Sequence, residues 1–337
     1  MPNLFSWGKS APTHQGDGET SRKRQEEQSR NQQAELQRKL QEAELARKRQ
    51  EEEAARKQRE AEAEAARRAG PSDAAAQFDL GWKYANGRGV AQDDTQAVAW
   101  YRKAAAQGHA HAQFNLGVMY DDGRGVAQDA KQAVEWYRKA AAQGNASAQN
   151  NLGWMYQNGR GVAQDDTQAV EWYRKAAAQG HARAQTNLGW MYANGRGVAQ
   201  DDKQAVEWYR TAAAQGYAAA QFNLGWMYAN GRGVAQDDKQ AVEWYRKAAD
   251  QGHAYAQCNL GWMYMKGRGV AQDDTQAVEW YRKAAAQGHA RAQFNLGVMY
   301  ANGRGLAQDD KQAVEWYRKA ADQGHARAQA ELKKRGL

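Results

Sequence analysis

The sequence is written in copies. The stretch from Gln221 to Ala256, QFNLGWMYANGRGVAQDDKQAVEWYRKAADQGHAYA, recurs with few changes along most of the chain. The leucine of its LG pair returns as Leu80, Leu116, Leu152, Leu188, Leu224, Leu260, Leu296 and Leu332, a period of 36 residues each time. A repeat this short cannot bury its own apolar face, so successive copies must stack and share one continuous core. That restricts the chain to a solenoid before any other property is considered.

Within a copy the pattern reads as two helices. Leu80 and Tyr84 lie four residues apart on one face of a helix that starts near Ala74 and runs through Asn86. Gly87 and Gly89 end it, because glycine takes the positive φ of a helix C-terminus without penalty. Asp93 is placed to cap the second helix, and Gln96 three residues on gives the capping-box spacing. Ala97, Val98, Tyr101, Ala104 and Ala105 then form an apolar stripe, and Gly108 follows the helix end. A fourth glycine, Gly81 and its equivalents, sits inside the first helix, where it costs about 1 kcal/mol against alanine. Its recurrence predicts that another helix backbone passes too close there for a side chain. The Leu80, Tyr84 and Tyr101 columns are the expected core.

The order A-x-x-x-L-G-x-x-Y-x-x-G-x-G-V-x-x-D followed by A-x-x-W-Y-x-K-A-A-x-x-G resembles the Sel-one-like repeat (SLR), a relative of the tetratricopeptide repeat. The resemblance covers Gln77 to about Ala328 in seven copies. It departs in single columns, such as the glutamines Gln96 and Gln132 where lysine is common. It implies an all-α fold, a right-handed α/α superhelix whose first helices line the concave side, and an adaptor role toward protein partners. A cysteine-rich branch of the family staples each repeat with a disulfide. With Cys258 as its one cysteine, this chain departs from that branch.

Three regions follow. Residues 1–20 read as a disordered tail in which Leu4, Phe5 and Trp7 are the apolar exceptions. Residues 21–69 turn to Glu, Arg, Lys, Gln and Ala. Leu36, Leu40 and Ala43 open a coiled-coil seam, but it runs into Arg47, Gln50 and Lys57 and fails the three-heptad requirement. Instead Glu26–Arg30, Glu35–Lys39, Glu44–Lys48, Glu52–Arg56, Glu53–Lys57 and Glu64–Arg68 stand at i, i+4, each worth about 0.2–0.5 kcal/mol. The expectation is a solvated single helix about 70 Å long, with weak self-association as the second reading. Gly70-Pro71 closes it, and residues 70–337 carry the seven repeats and a final capping helix whose Lys333, Lys334 and Arg335 stand in the columns of Gly, Trp and Met.

The composition narrows the function. No apolar run approaches the ~20 residues of a membrane helix, and the start of the sequence has no secretory h-region, so cytoplasm is the default location. Catalysis needs different groups converging on one point, whereas every polar group here repeats at the same interval. The histidines 109, 181, 253, 289 and 325 share one column, spaced too widely for a shared zinc, and read as linker residues near a helix start. No catalytic residue, metal or cofactor is assigned. Arg88, Arg102-Lys103 and their equivalents form basic ladders that suggest nucleic acid as an alternative ligand. Repeated Asp and Glu balance them within each copy.

Partner binding is placed where the copies differ. In the first helix the varying columns fall at i, i+3, i+7 and i+10, one stripe of the helix surface. A core stripe should resist exchanges such as Phe for Asn, so this face is expected to be at least partly exposed. Its candidates for a protein or peptide partner are Arg183, Tyr255 and Arg291 in the first column and Phe78, Phe114, Phe222 and Phe294 in the second. Trp82, Trp154, Trp190, Trp226 and Trp262 supply the third. Aromatic anchors of this kind concentrate interface energy. The competing reading packs those tryptophans between adjacent first helices.

Overall fold

The structure is a computed structural model and describes residues 35–57 and 72–337. Those residues contain sixteen α-helices and no strand. The chain divides into two compact units, Met1–Ser72 and Asp73–Leu337.

In the first unit, residues 35–57 form the helix α1, exposed throughout. Leu36, Leu40 and Leu45 are all more than half exposed. Glu35–Lys39, Glu44–Lys48 and Glu53–Lys57 pair at 2.7, 3.1 and 2.8 Å, as their spacing predicts. Arg47 and Glu51, in the less favourable order, add a fourth pair at 3.4 Å. Glu26–Arg30, Glu64–Arg68 and the apolar Leu4, Phe5 and Trp7 lie outside the described residues.

The second unit alternates first and second helices. The first helices are α2 (Ala74–Asn86), α4 (Ala110–Asp122), α6 (Ala146–Asn158), α8 (Ala182–Asn194), α10 (Ala218–Asn230), α12 (Ala254–Lys266) and α14 (Ala290–Asn302). The second helices are α3 (Asp94–Ala106), α5 (Ala130–Ala142), α7 (Asp166–Ala178), α9 (Asp202–Ala214), α11 (Asp238–Asp250), α13 (Asp274–Ala286) and α15 (Asp310–Asp322), and α16 (Ala326–Lys334) packs on the last of them. Each helix packs on the next in sequence, giving an α solenoid.

Local chemistry sets each boundary. Asp73 Oδ1 accepts the Ala76 N–H at 2.8 Å and starts α2. Asp93 Oδ1 accepts the Thr95 and Gln96 N–H groups at 2.9 and 3.0 Å and starts α3. The reciprocal half of the capping box is not made, because the Asp93 N–H is taken by the Tyr84 carbonyl at 3.0 Å. That bond ties the second helix to the end of the first.

The core follows the stripe in the sequence. Ala97, Val98, Tyr101, Ala104 and Ala105 are at most 3% exposed, and the Tyr101 column stays buried in all seven copies. Leucine is fully buried from Leu116 to Leu296, while Leu80 in the first copy is half-buried. The Tyr84 column differs from expectation. Its rings are half-buried, and from Tyr120 onward the hydroxyl sits at the rim, accepting from the arginine of the preceding second helix, as in Arg102 Nη2 to Tyr120 Oη at 2.7 Å.

The glycine expectation holds in part. A Cβ on Gly81 would lie 2.7 Å from Cδ1 of Tyr101 and 3.3 Å from the Ala97 carbonyl oxygen, so the core tyrosine ring meets it first and the facing helix backbone is close behind. A closer backbone approach occurs at the second glycine of the loop. A Cβ on Gly125 would lie 2.1 Å from the Asp94 carbonyl oxygen of the preceding copy, and Gly161 and Gly197 repeat the contact. Gly89, in the first copy, has nothing within 4 Å of the same position.

This supplies a matched test. Gly89 and Gly125 share a positive φ, +75° and +66°, so alanine strains both backbones alike, by about 1–2 kcal/mol. Gly125→Ala should cost at least ~2 kcal/mol more than Gly89→Ala, because only there must two repeats separate. Urea unfolding of both variants reads the difference, and equal midpoints would remove the contact from the account.

Candidate functional site

The first-helix stripe is built from four columns of different character. At i, Arg183, Tyr255 and Arg291 are exposed. At i+3 the side chains point inward. Phe78, Phe114, Phe222 and Phe294 are half-buried against the core tyrosine of their own copy, with ring centroids 5.7–6.0 Å apart. Asn150, Thr186 and Cys258 in the same column are buried. Exchange along this column therefore does not mark an exposed face, contrary to the sequence argument. At i+10 the residues are mostly half-buried.

The tryptophans resolve into an intermediate arrangement. Trp82, Trp154, Trp190 and Trp226 are 37–40% exposed, and Trp262 is somewhat more covered. Each carries the loop arginine of its own copy over its ring. Arg88 lies 5.2 Å from the Trp82 centroid, Arg160 5.8 Å from Trp154 and Arg196 5.4 Å from Trp190. Arg232 and Arg268 cover Trp226 and Trp262 at 5.4 and 5.2 Å. One ring face is packed and part of the other stays open.

Those arginines also explain the basic ladder of the first loops. Arg124 makes a two-pronged pair with Asp94 of the preceding copy, Nη2 to Oδ1 at 2.7 Å and Nε to Oδ2 at 3.1 Å. Arg196, Arg232, Arg268 and Arg304 repeat it with Asp166, Asp202, Asp238 and Asp274. Where Ala130 takes the aspartate column, Arg160 turns to Asp121 at 2.8 Å. On the second helices, Lys103, Lys139, Lys175, Lys247, Lys283 and Lys319 each lie over the preceding tryptophan at 3.8–4.1 Å. The loop arginines are thus largely neutralised within the fold, whereas the second-helix Arg102, Lys103, Arg138 and Lys139 stay exposed and meet only neutral rings and hydroxyls.

The structure gathers some candidates and separates others. Trp226, Trp262, Arg291 and Phe294 line one open hollow of about 680 Å³, together with Met265 and Arg327. Its wall comes almost wholly from α10, α12, α14 and α16, the helices expected on the concave side. Phe114 and Arg183 share a second, shallower hollow of about 390 Å³ with Asn150 and Tyr217. Phe222 and Tyr255 join an aromatic row instead. Phe222 stacks on His253 at 4.9 Å, and Tyr255 meets His289 edge-on at 4.6 Å. Phe78, Trp82, Trp154 and Trp190 line neither hollow.

Two columns were missed by sequence reasoning. The histidine column does not hold linkers but the N-caps of the first helices. His109 Nδ1 accepts the Ala112 N–H at 3.2 Å, and His181, His253, His289 and His325 do the same one copy or more along. Asn145 caps with Oδ1 at 2.9 Å, and Tyr217 makes no side-chain cap. The signal was there, since Asn145 is a strong N-cap residue in the same column. The second is glutamine. Gln77, Gln113 and their equivalents are buried from the first copy through Gln293. Gln113 Nε2 donates to the Ala105 carbonyl across the repeat boundary at 3.2 Å, and Gln143 Nε2 donates to Gln113 Oε1 at 2.7 Å within the repeat. Its invariance among the copies was the visible sign.

Among the described residues, no three His, Cys, Asp or Glu side chains assemble as metal ligands would, and no helix is long and apolar enough to cross a membrane. Cys258 is fully buried, and burial pushes its thiol upward despite the Arg291 guanidinium beside it.

Comparison with known proteins agrees with this geometry. The Sel1 repeat matches seven times, at residues 74–109, 110–145, 146–181, 182–217, 218–253, 254–289 and 290–325. The crystal structure of c5321, a protective antigen of uropathogenic Escherichia coli displaying an SLR fold, is 42% identical with a TM-score of 0.69, over 81% of this chain and 57% of that one. The chain thus spans a little over half the length of that relative. A Sel1 repeat protein from Oxalobacter formigenes is 40% identical with a TM-score of 0.67, over 78% of this chain and 76% of the other. No curated protein matches the chain.

Burial of the cap histidines carries a pH dependence. Desolvation holds His109, His181, His253, His289 and His325 below the ordinary imidazole value of 6.5. The unfolded chain therefore binds protons first as pH falls. Stability is full above about 6.5 and declines below it, through the folded values, as the capping nitrogen is protonated. Replacing all five by asparagine, as Asn145 already stands, should reduce the fall of the thermal midpoint below about pH 6.5. An unchanged pH slope would show that the histidines do not set it.

Proposed function

The chain belongs to the Sel1 repeat family, and on that premise we propose that it is a non-enzymatic scaffold that holds a segment or domain of another protein along its first helices. Proteins of this fold commonly mediate protein–protein interaction. The observation that carries the reading here is the run of Trp154, Trp190 and Trp226 on the successive first helices α6, α8 and α10, each braced by an arginine on one side and about two-fifths exposed. A large apolar ring held rigid by the fold loses little entropy when a partner covers it, which is what makes tryptophan an anchor. Phe78, Phe114, Phe222 and Phe294 serve as half-buried supports behind that surface. Arg183, Tyr255 and Arg291 supply its polar edge.

Affinity capture on the full chain, followed by mass spectrometry, identifies the partner. Trp226→Ala should then weaken its binding by about thirtyfold, corresponding to about 2 kcal/mol at an anchor position. The same change removes the platform under Arg232 and should lower stability by only about 0.5–1 kcal/mol. A large fall in the thermal midpoint with unchanged affinity of the folded fraction would assign the ring to packing instead.

A further inference from the structure

The hollow between α10, α12, α14 and α16 differs from the rest of the first-helix face in charge. Among its lining residues are Lys266, Arg268, Arg291 and Arg327, and no aspartate or glutamate. Arg268 is neutralised by Asp238 at 2.6 Å. The other three have no carboxylate partner among the described residues. Arg291 donates only to neutral groups, Cys258 Sγ at 3.4 Å and Asn259 Oδ1. Lys266 and Arg327 are exposed.

The departures from the repeat put these charges there. The Lys266 column holds Asn86, Asn158, Asn194, Asn230 and Asn302 in other copies. Met265 replaces the alanine of Ala193, Ala229 and Ala301. Arg291 and Arg327 stand where other copies have Ala75, Ser147 and Ala219. At the corresponding end of α4 the chain carries Asp121 and Asp122 where α12 carries Met265 and Lys266, so this helix end is acidic in the second copy and basic in the sixth. His325 at the rim is held down first by burial and then by Arg327, with a smaller push from Arg291, consistent with a positive local field.

We infer that this hollow receives an acidic peptide segment, one in which an apolar side chain settles among Trp226, Trp262, Met265 and Phe294 while flanking carboxylates meet Lys266, Arg291 and Arg327. This rests on the scaffold reading and specifies the chemistry of the partner. The aromatic rings and the adaptable thioether give the apolar floor. The unpaired cations sit around it, and a segment bearing Asp or Glu matches them where a neutral or basic one leaves them unopposed. A nucleic-acid strand fits less well, since tracking a phosphate backbone needs a continuous basic groove, and the loop arginines along this face, Arg196, Arg232, Arg268 and Arg304, are neutralised by aspartates.

Selection of random twelve-residue peptides displayed on phage against the full chain tests the inference. Two variants serve as controls. Lys266→Asn with Arg327→Ala installs residues that other copies already carry in those columns, so the fold is preserved. Trp226→Ala removes part of the floor. The expected result is enrichment of Asp and Glu beside an aromatic or aliphatic residue. Synthetic versions of the selected peptides should bind about fivefold more weakly to the double variant, as two exposed charge pairs account for. Their binding should also weaken between 50 and 500 mM salt. Selected peptides that are neutral or basic, yet lose binding in Trp226→Ala, would overturn the acidic assignment and leave the scaffold reading standing. Selected peptides indifferent to both variants would overturn both. A labelled oligouridylate that binds more tightly than the selected peptides, and is weakened in the double variant, would overturn it in favour of nucleic acid.

Discussion

The contact on which the stack depends is the arginine of each first loop. Arg232 shows its full set of partners. It closes over Trp226 of its own copy, forks onto Asp202 at the start of the preceding second helix, and donates to the Ala193 carbonyl at the end of the preceding first helix at 2.7 Å. One side chain therefore fixes the angle between two copies at three points. A lone, partly exposed ion pair contributes at most about 1 kcal/mol. Two-pronged geometry, a helix C-terminal carbonyl and a stacked ring restrict the guanidinium much further. The glycine beside it, Gly233, makes the approach possible, since a Cβ there would lie 2.2 Å from the Asp202 carbonyl oxygen.

Much of this was legible before any coordinates. The period, the helix pairs, the aspartate caps and the stripe from Ala97 to Ala105 are local patterns, and local patterns survive translation into structure. The contacts between copies were harder to read. Asp94 looks like a second capping residue, and Arg124 like a surface base, because their partnership spans thirty residues and only stacking reveals it. The glycine argument shows the same limit. Sequence says that side chains are forbidden at two columns, and it does not say whether a ring or a backbone forbids them. At Gly81 it is the Tyr101 ring with the Ala97 carbonyl close behind it, and at Gly125 it is the Asp94 carbonyl.

Variation among the copies was a less direct guide to exposure than it looked. Asn150, Thr186 and Cys258 replace phenylalanine in an inward column, and each finds its own partner. Asn187 Nδ2 donates to Asn150 Oδ1 at 3.1 Å, Thr186 Oγ1 donates to the Ala182 carbonyl at 2.9 Å, and Arg291 Nε approaches Cys258 Sγ. A buried polar atom is tolerated once its hydrogen bond is made, so exchange alone does not establish a surface. The exposed part of the stripe is narrower than the sequence argument drew it, and it rests on the tryptophan column and the exposed residues at i.

The invariant columns carry the load of holding the copies together, and that frees the others to diverge. Leucine, glutamine, the core tyrosine and the loop arginine recur because each neighbouring copy needs them in the same place. The lysines over Trp136 and Trp172 lie on neutral rings and keep their charge on the second-helix face, away from the first-helix columns. On the first-helix face, a cluster of charge without a carboxylate partner stands where the copies depart from the pattern, as Lys266, Arg291 and Arg327 do around one hollow. A uniform ladder would present the same face at every step and select no register for a partner. Placing the apolar floor and the unpaired cations at one end of the stack would give the proposed acidic segment a single position to prefer.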